Sequence, residues 1–272
     1  MARRLTPWRW AVLGLAALYF LVPLGASVVF TIDVPGQGIT FDAYSRILSA
    51  DGFVSSLLLS LELAAATIAA VLLLLVPAVV AIRLGVPRLR PVVEVVCSLP
   101  LVVPPIAFSA GIATVLKWGP DHLSRTPLFQ TFVAIQNENF PVVLVLAYVV
   151  MALPFVHRAL DTGLRAIDVR TLVEAARSCG ASWPQALVRA VLPNLRGALL
   201  NAAFLTLALV LGEFTVARLL GYTPFAVWIY NVGESQAQMS VAVSVLSLLV
   251  TWALLLALAG AGGRTRTASS RG

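Results

Sequence analysis

Long apolar stretches separated by short polar connections set the pattern of this chain. Six stretches stand out, at roughly 10–30, 53–82, 92–116, 141–160, 197–217 and 239–260. Each is mostly apolar over about 18 residues or more, and about 20 helical residues cross the hydrocarbon of a bilayer. The runs are continuous rather than alternating, which selects helices over a β-barrel. The second run exceeds a perpendicular crossing, so it tilts or extends beyond the bilayer. The first run is longer than the usual apolar core of a signal peptide and lacks a small-residue cleavage site. The pattern therefore predicts an all-α, polytopic membrane protein with six transmembrane helices. They form one domain, 1–260, followed by a disordered polar tail, 261–272. The connection at 31–52 is expected to be helical from Phe41 to Ser49, and the one at 117–140 is polar and punctuated by proline.

Composition agrees, with 60% hydrophobic and only 11% charged residues, far from the soluble range. The net charge of +7 raises nucleic acid as a partner, and the placement of the charges answers it. Four of the nineteen basic residues, Arg46, Lys117, Arg125 and Arg218, fall on one side of the six-span layout. The rest cluster in the N-terminus, the connections around Arg83–Arg90 and Arg158–Arg196, and the C-terminus. That asymmetry is the positive-inside pattern, so both termini are expected in the cytosol and nucleic-acid binding is excluded. Cys97 and Cys179 match neither a disulfide frame nor a metal site.

The connection from Asp161 to Arg196 is a charged island whose residues read as two short helices with a turn. Asp168 can cap the first, or Thr171 and Glu174 can form a capping box; both assignments stand. Gly180 suits the left-handed position that ends a helix. Ser182 with Gln185 forms a second capping box, Pro184 fits the first turn, and Pro193 closes the pair near the fifth span.

Within this island, Glu174 to Pro193 reads EAARSCGASWPQALVRAVLP. The order EAA, three residues, Gly, nine residues, an apolar position, any residue, Leu-Pro resembles the EAA loop of permease subunits of bacterial binding-protein-dependent ABC importers. Ala190 stands where that family usually has Ile. The resemblance implies an ABC importer type I permease fold in the plasma (inner) membrane. It implies that the loop at 161–196 docks in a groove of a cytosolic ABC ATPase, present as a dimer. Glu174, Ala175, Ala176, Gly180, Leu192 and Pro193 would then form the ATPase-coupling element. A second permease subunit, identical or paralogous, an extracytoplasmic substrate-binding protein and membrane lipid complete the implied partners. No cofactor or catalytic chemistry is implied. The chain has no P-loop, since its one lysine, Lys117, lies between Leu116 and Trp118.

Five residues are candidates for the substrate path. Pro104 and Pro105 follow Leu99-Pro100-Leu101-Val102-Val103 in the third span, where proline kinks the helix, either for packing or to line a path that opens and closes. Glu62 and Glu213 are carboxylates at membrane depth, where ionisable groups usually face a bundle interior or a watery path. Glu213, followed by Phe214, can instead pair with Arg218; Glu62 can instead hold helices or subunits together. The aromatics Tyr222, Phe225, Trp228 and Tyr230 suit an interface belt or a lid.

The proline-rich third span and LGEFTVARLLG at 211–221 also resemble permeases of the spermidine/putrescine group. The same regions resemble permeases for iron(III), thiamine, phosphonate, sulfate or molybdate. The rival from another class is a secondary transporter driven by ion gradients through Glu62 and Glu213. The EAA spacing and the lack of inverted repeats stand against it. A membrane enzyme has no support, because His122 and His157 are isolated from any nucleophile.

Overall fold

The computed structural model describes residues 7–34, 36 and 38–267, with side chains to residue 253 except those of Pro7 and Arg9. The apolar stretches become helices, because a backbone in an apolar medium must satisfy its own hydrogen bonds. Trp10–Ile32, Phe53–Gly85 and Val142–Arg165 are each long and apolar enough to cross a membrane. Two bent pairs, Pro87–Leu101 with Pro105–Leu123 and Trp183–Asn194 with Arg196–Gly212, reach that length together. The sixth stretch lies in the helix Ala237–Thr267.

The chain divides into two compact units, one joining the segment up to Val54 with the segment from Trp228 onward, the other running from Ser55 to Val227. In the first unit the Pro7–Ile32 helix lies against the Ala237–Thr267 helix. No residue in the apolar window of Trp10–Ile32 is buried, an arrangement that suits a lipid surrounding far better than water. A two-stranded antiparallel ribbon follows, pairing Asp33 with Ile39 and Val34 with Gly38. The helical stretch expected at Phe41–Ser49 forms as Asp42–Ser45 and a 3-10 turn at Ile47–Ser49. The Trp228 indole donates to the carbonyl of Asp51 at 2.9 Å and meets the Phe53 ring edge-on at 5.4 Å.

The Ala237–Thr267 helix carries on through 261–267, where the sequence reading places a disordered tail. Once a helix is nucleated, each further residue adds a bond, so a polar end can extend it. The rest of that tail, 268–272, lies outside the described residues.

In the second unit the core runs as three successive clusters along the same helices. The first joins Leu63, Leu144, Val210 and Val227; the second joins Val71, Ala152, Val156 and Ala202. The third joins Val79, Val80, Leu164 and Leu195 to the island residues Val169, Val173, Ala186 and Val191. Rising numbers on Phe53–Gly85 and Val142–Arg165 meet falling numbers on Arg196–Gly212. The first two helices therefore run parallel, the third antiparallel, and the island caps the end where Gly85 and Arg165 lie.

The third apolar stretch, expected at 92–116 as a span kinked by its prolines, breaks outright. It breaks after Leu101 and restarts at Pro105, with a bend of 96°. Proline disfavours helical geometry in the residue before it, and Pro104, itself before Pro105, is extended at φ −59°, ψ 137°. The connection at 117–140 is also more ordered than expected. The helix runs to Leu123, and Leu128–Ala134 forms another.

Candidate functional site

The island from Asp161 to Arg196 is built by local hydrogen-bond chemistry on an apolar seat. Its first helix spans Val169–Ser178, and Asp168 is its cap. The Asp168 carboxylate accepts the Thr171 amide at 3.2 Å and the Thr171 hydroxyl at 2.7 Å. Those two donors hold the Asp168 carboxyl below its ordinary value, the hydroxyl contributing most. Glu174 takes no part in the cap. It accepts from the Arg170 guanidinium at 2.8 Å, one turn back, and remains exposed.

The helix ends in a Schellman turn. Ala181 donates to the Ala176 carbonyl at 3.1 Å and Gly180 to that of Arg177 at 2.9 Å. This pattern needs a left-handed residue, supplied by Gly180 at φ +84°. The second helix starts at Ser182, whose amide is accepted by the Gln185 side chain at 2.9 Å. It passes through a wide π turn at Leu187–Val191 and a last turn at Leu192–Asn194 before the bend at Leu195. Pro193 has no N–H for the carbonyl of Arg189 four residues back, which loosens the helix there. Trp183–Asn194 and Arg196–Gly212 meet at 81°.

Side-chain periodicity orients the pair. Val169 and Val173 are buried on the third cluster, and Ala176 packs half-buried against it. Arg170, Thr171, Glu174, Ala175 and Ser178 are exposed, as are Gly180 and Pro193, while Leu192 is half-buried against the second cluster. The two alanines of the motif thus differ: Ala175 faces outward and Ala176 faces the seat. Nothing lies within 4 Å of where a Gly180 side chain would begin. The exposed side carries both charges, Arg170 and Glu174, beside the small Ala175 and Ser178.

The five path candidates differ in burial and in the contacts they make. Glu213 is 7% exposed, and its carboxylate accepts the amides of Val216 at 2.8 Å and Ala217 at 3.2 Å. It thereby caps the short helix Thr215–Leu219. A helix N-terminus favours such a negative charge. That helix packs against Pro105–Leu123, whose N-terminus is fixed by Pro104 and Pro105. Phe214 is half-buried on the first core cluster. Glu62 is exposed beside the buried Leu63 and Ala64 of the same cluster.

The expected aromatic belt is largely interior. Phe225 and Trp228 are each 7% exposed, the Phe225 amide donates to the Ser60 hydroxyl at 2.8 Å, and Tyr230 is outward. Sequence reasoning assigned no role to Ser60 or Asp161. For Asp161 a signal was present, the i,i+4 spacing to Arg165.

A search of curated proteins found no match to this chain. The family model for the binding-protein-dependent transport system inner membrane component matches residues 74–261, well over half of the chain. The match contains the whole island, Pro104, Pro105, Glu213 and Phe214, and begins after Glu62. With apolar helices of membrane length and a matched region that spans most of the core, the chain belongs to the family of inner-membrane components of binding-protein-dependent transport systems.

Proposed function

We propose that the helix pair Val169–Ser178 and Trp183–Asn194 is the coupling element through which a separate ATPase drives this permease. Family membership makes the chain a permease subunit of a binding-protein-dependent ABC importer, which works with ATPase and substrate-binding components. The observation that carries the coupling assignment is the division of the first loop helix into two sides. Glu174 and Ala175 lie outward, while Val169 and Val173 lock onto the ends of Phe53–Gly85 and Val142–Arg165. A push on the outward side therefore reaches two long helices through packed side chains. Close packing transmits displacement because protein interiors hardly compress.

In this reading six helices cross the inner membrane with both termini cytosolic, a second permease copy or paralogue completes the path, and the chain performs no covalent chemistry. The solute is a small cation of the polyamine type. Glu62, exposed in the first third of the membrane-length helix Phe53–Gly85, supports this, because an ionisable group within a span calls for a watery path or a partner. Glu213 serves the path indirectly, by holding the turn beside Pro105–Leu123. The kink at Pro104 and Pro105, with Phe214, forms the flexible wall.

Cysteine crosslinking in cells tests the coupling assignment. In a Cys179→Ser background, Ala175→Cys is expected to capture the ATPase subunit, and Ala176→Cys, turned toward the seat, to capture it poorly. Efficient capture through Ala176→Cys with none through Ala175→Cys overturns the assignment.

A further inference from the structure

One carboxylate at the loop end of the second unit is surrounded by three guanidinium groups. Asp161 lies 2.8 Å from Arg165, 3.0 Å from Arg90 and 3.7 Å from Arg83. Arg90 and Arg165 donate hydrogen bonds to it; Arg83, beyond hydrogen-bonding distance, makes none among the described residues. Three positive charges thus share one negative charge and repel one another. Arg83, Arg90 and Asp161 line a cleft of about 250 Å³ whose remaining wall includes Val79, Ile82 and Val93.

The position of the cleft along the helices matters as much as its charge. Arg83 lies in the last turn of Phe53–Gly85, Asp161 and Arg165 end Val142–Arg165, and Arg90 begins Arg90–Ser98. Asp161 lies 19 residues after Val142 in the 24-residue helix Val142–Arg165, about one crossing of the hydrocarbon from its start, so in the membrane reading this end is taken to meet the headgroup layer. The apolar wall lies toward the membrane and the guanidinium groups at its edge. A guanidinium presents a planar fork of donors that matches two oxygens of a phosphate.

We propose that this cleft binds the phosphate of an anionic phospholipid, with Arg83 as the primary ligand and the aliphatic wall taking the start of an acyl chain. The phosphate relieves the repulsion between Arg83 and Arg90, and the Asp161 carboxylate holds Arg90 at the cleft. Basic pockets between helices at a membrane face are suited to such headgroups. The proposal rests on the membrane reading alone and not on the coupling loop, so loss of lipid binding leaves the Ala175→Cys crosslink unchanged.

The test uses the permease purified with its partner subunits in nanodiscs of phosphatidylcholine with a minor share of phosphatidylglycerol. Lipid retained after mild detergent extraction is identified by mass spectrometry. Wild type is expected to retain phosphatidylglycerol over phosphatidylcholine, and Arg83→Gln to retain roughly fivefold less, the share of one basic side chain near a membrane surface. Arg83→Lys, which keeps the charge but loses the planar fork, is expected to fall between wild type and Arg83→Gln, and Arg90→Gln supplies the same comparison should Arg83→Gln fail to assemble. Arg88→Gln, exposed and outside the cleft, is expected to behave as wild type. Equal losses in Arg88→Gln point to diffuse surface charge and overturn the proposal. So does unchanged retention in the cleft variants. Thermal protection by inorganic phosphate in detergent equal to that by phosphatidylglycerol makes this a free-anion site and overturns the lipid assignment.

Discussion

Replacing Gly180 separates two explanations for why the island turns where it does. The residue sits at φ +84°, and a side chain there meets no atom within 4 Å. The cost of Gly180→Val is therefore a backbone cost, not a clash with neighbours. A left-handed conformation disfavours an ordinary L-residue by about 1–2 kcal/mol, with a β-branched residue at the upper end. Because 1.4 kcal/mol is tenfold, the Schellman geometry should lose roughly ten- to thirtyfold in population against alternatives. Asn visits this region readily, so Gly180→Asn is the control. In reconstituted complex, the measured quantity is solute taken up per ATP hydrolysed. Gly180→Val is expected to lower that ratio while the protein still reaches the membrane, and Gly180→Asn to preserve most of it. If Asn fails as badly as Val, the site requires an absent side chain rather than a particular φ. If Val couples like wild type, the turn geometry is irrelevant to coupling.

Three other perturbations probe the frame. At Gly163 an added methyl would collide with the Ala198 side chain and approach Leu195 within 3.3 Å. Overpacking costs about 1–3 kcal/mol, against about 1 kcal/mol of helix propensity gained. Gly163→Ala should thus lower the thermal midpoint in detergent, and a raised midpoint contradicts the close packing of the two helices. Glu213→Ala leaves the amides of Val216 and Ala217 without their acceptor, costing about 1–3 kcal/mol. Glu213→Gln retains one acceptor and should unfold at a higher temperature than Glu213→Ala, while equal midpoints deny the capping role. The depressed Asp168 carboxyl stabilises the loop helix at pH above its ordinary value of 3.8, and that contribution disappears as pH falls through its lower folded value. Amide exchange at Thr171, relative to neighbouring amides, should therefore speed up on acidification in wild type and lose that dependence in Asp168→Asn.

The parts of this protein that the sequence discloses are those encoded over short distances. Gly180, and Ser182 with Gln185, act within a few residues of themselves, and each folds as its pattern predicts, while the second helix widens into a π turn and runs one residue past Pro193. Of the two local caps, Asp168 is the one formed: the Thr171 hydroxyl and amide both donate back to its carboxylate, so the Thr171 amide is not left for Glu174. What the pattern cannot carry is encounter between distant segments. The prolines at 100, 104 and 105 announce a kink but not a right-angle break. Trp228 looks like an interface aromatic until Asp51 and Phe53 are brought to it. The spacing of Glu213 to Arg218 is visible in a sequence, whereas the extended backbone of Glu213 that turns its carboxylate onto the Val216 amide is not.

The way the island is seated limits how it could be exchanged between transporters. Val169 and Val173 are 3% and 8% exposed, and each such burial contributes about 1.5–3 kcal/mol. Their sockets belong to other segments, Val79 and Val80 before the island and Leu195 after it. A graft of residues 161–196 from a relative would arrive with the wrong underside unless its host residues at 79 and 80 travelled with it. The underside of the proposed coupling element is thus tied to the helices it is seated on, and only its outward residues can change independently of them.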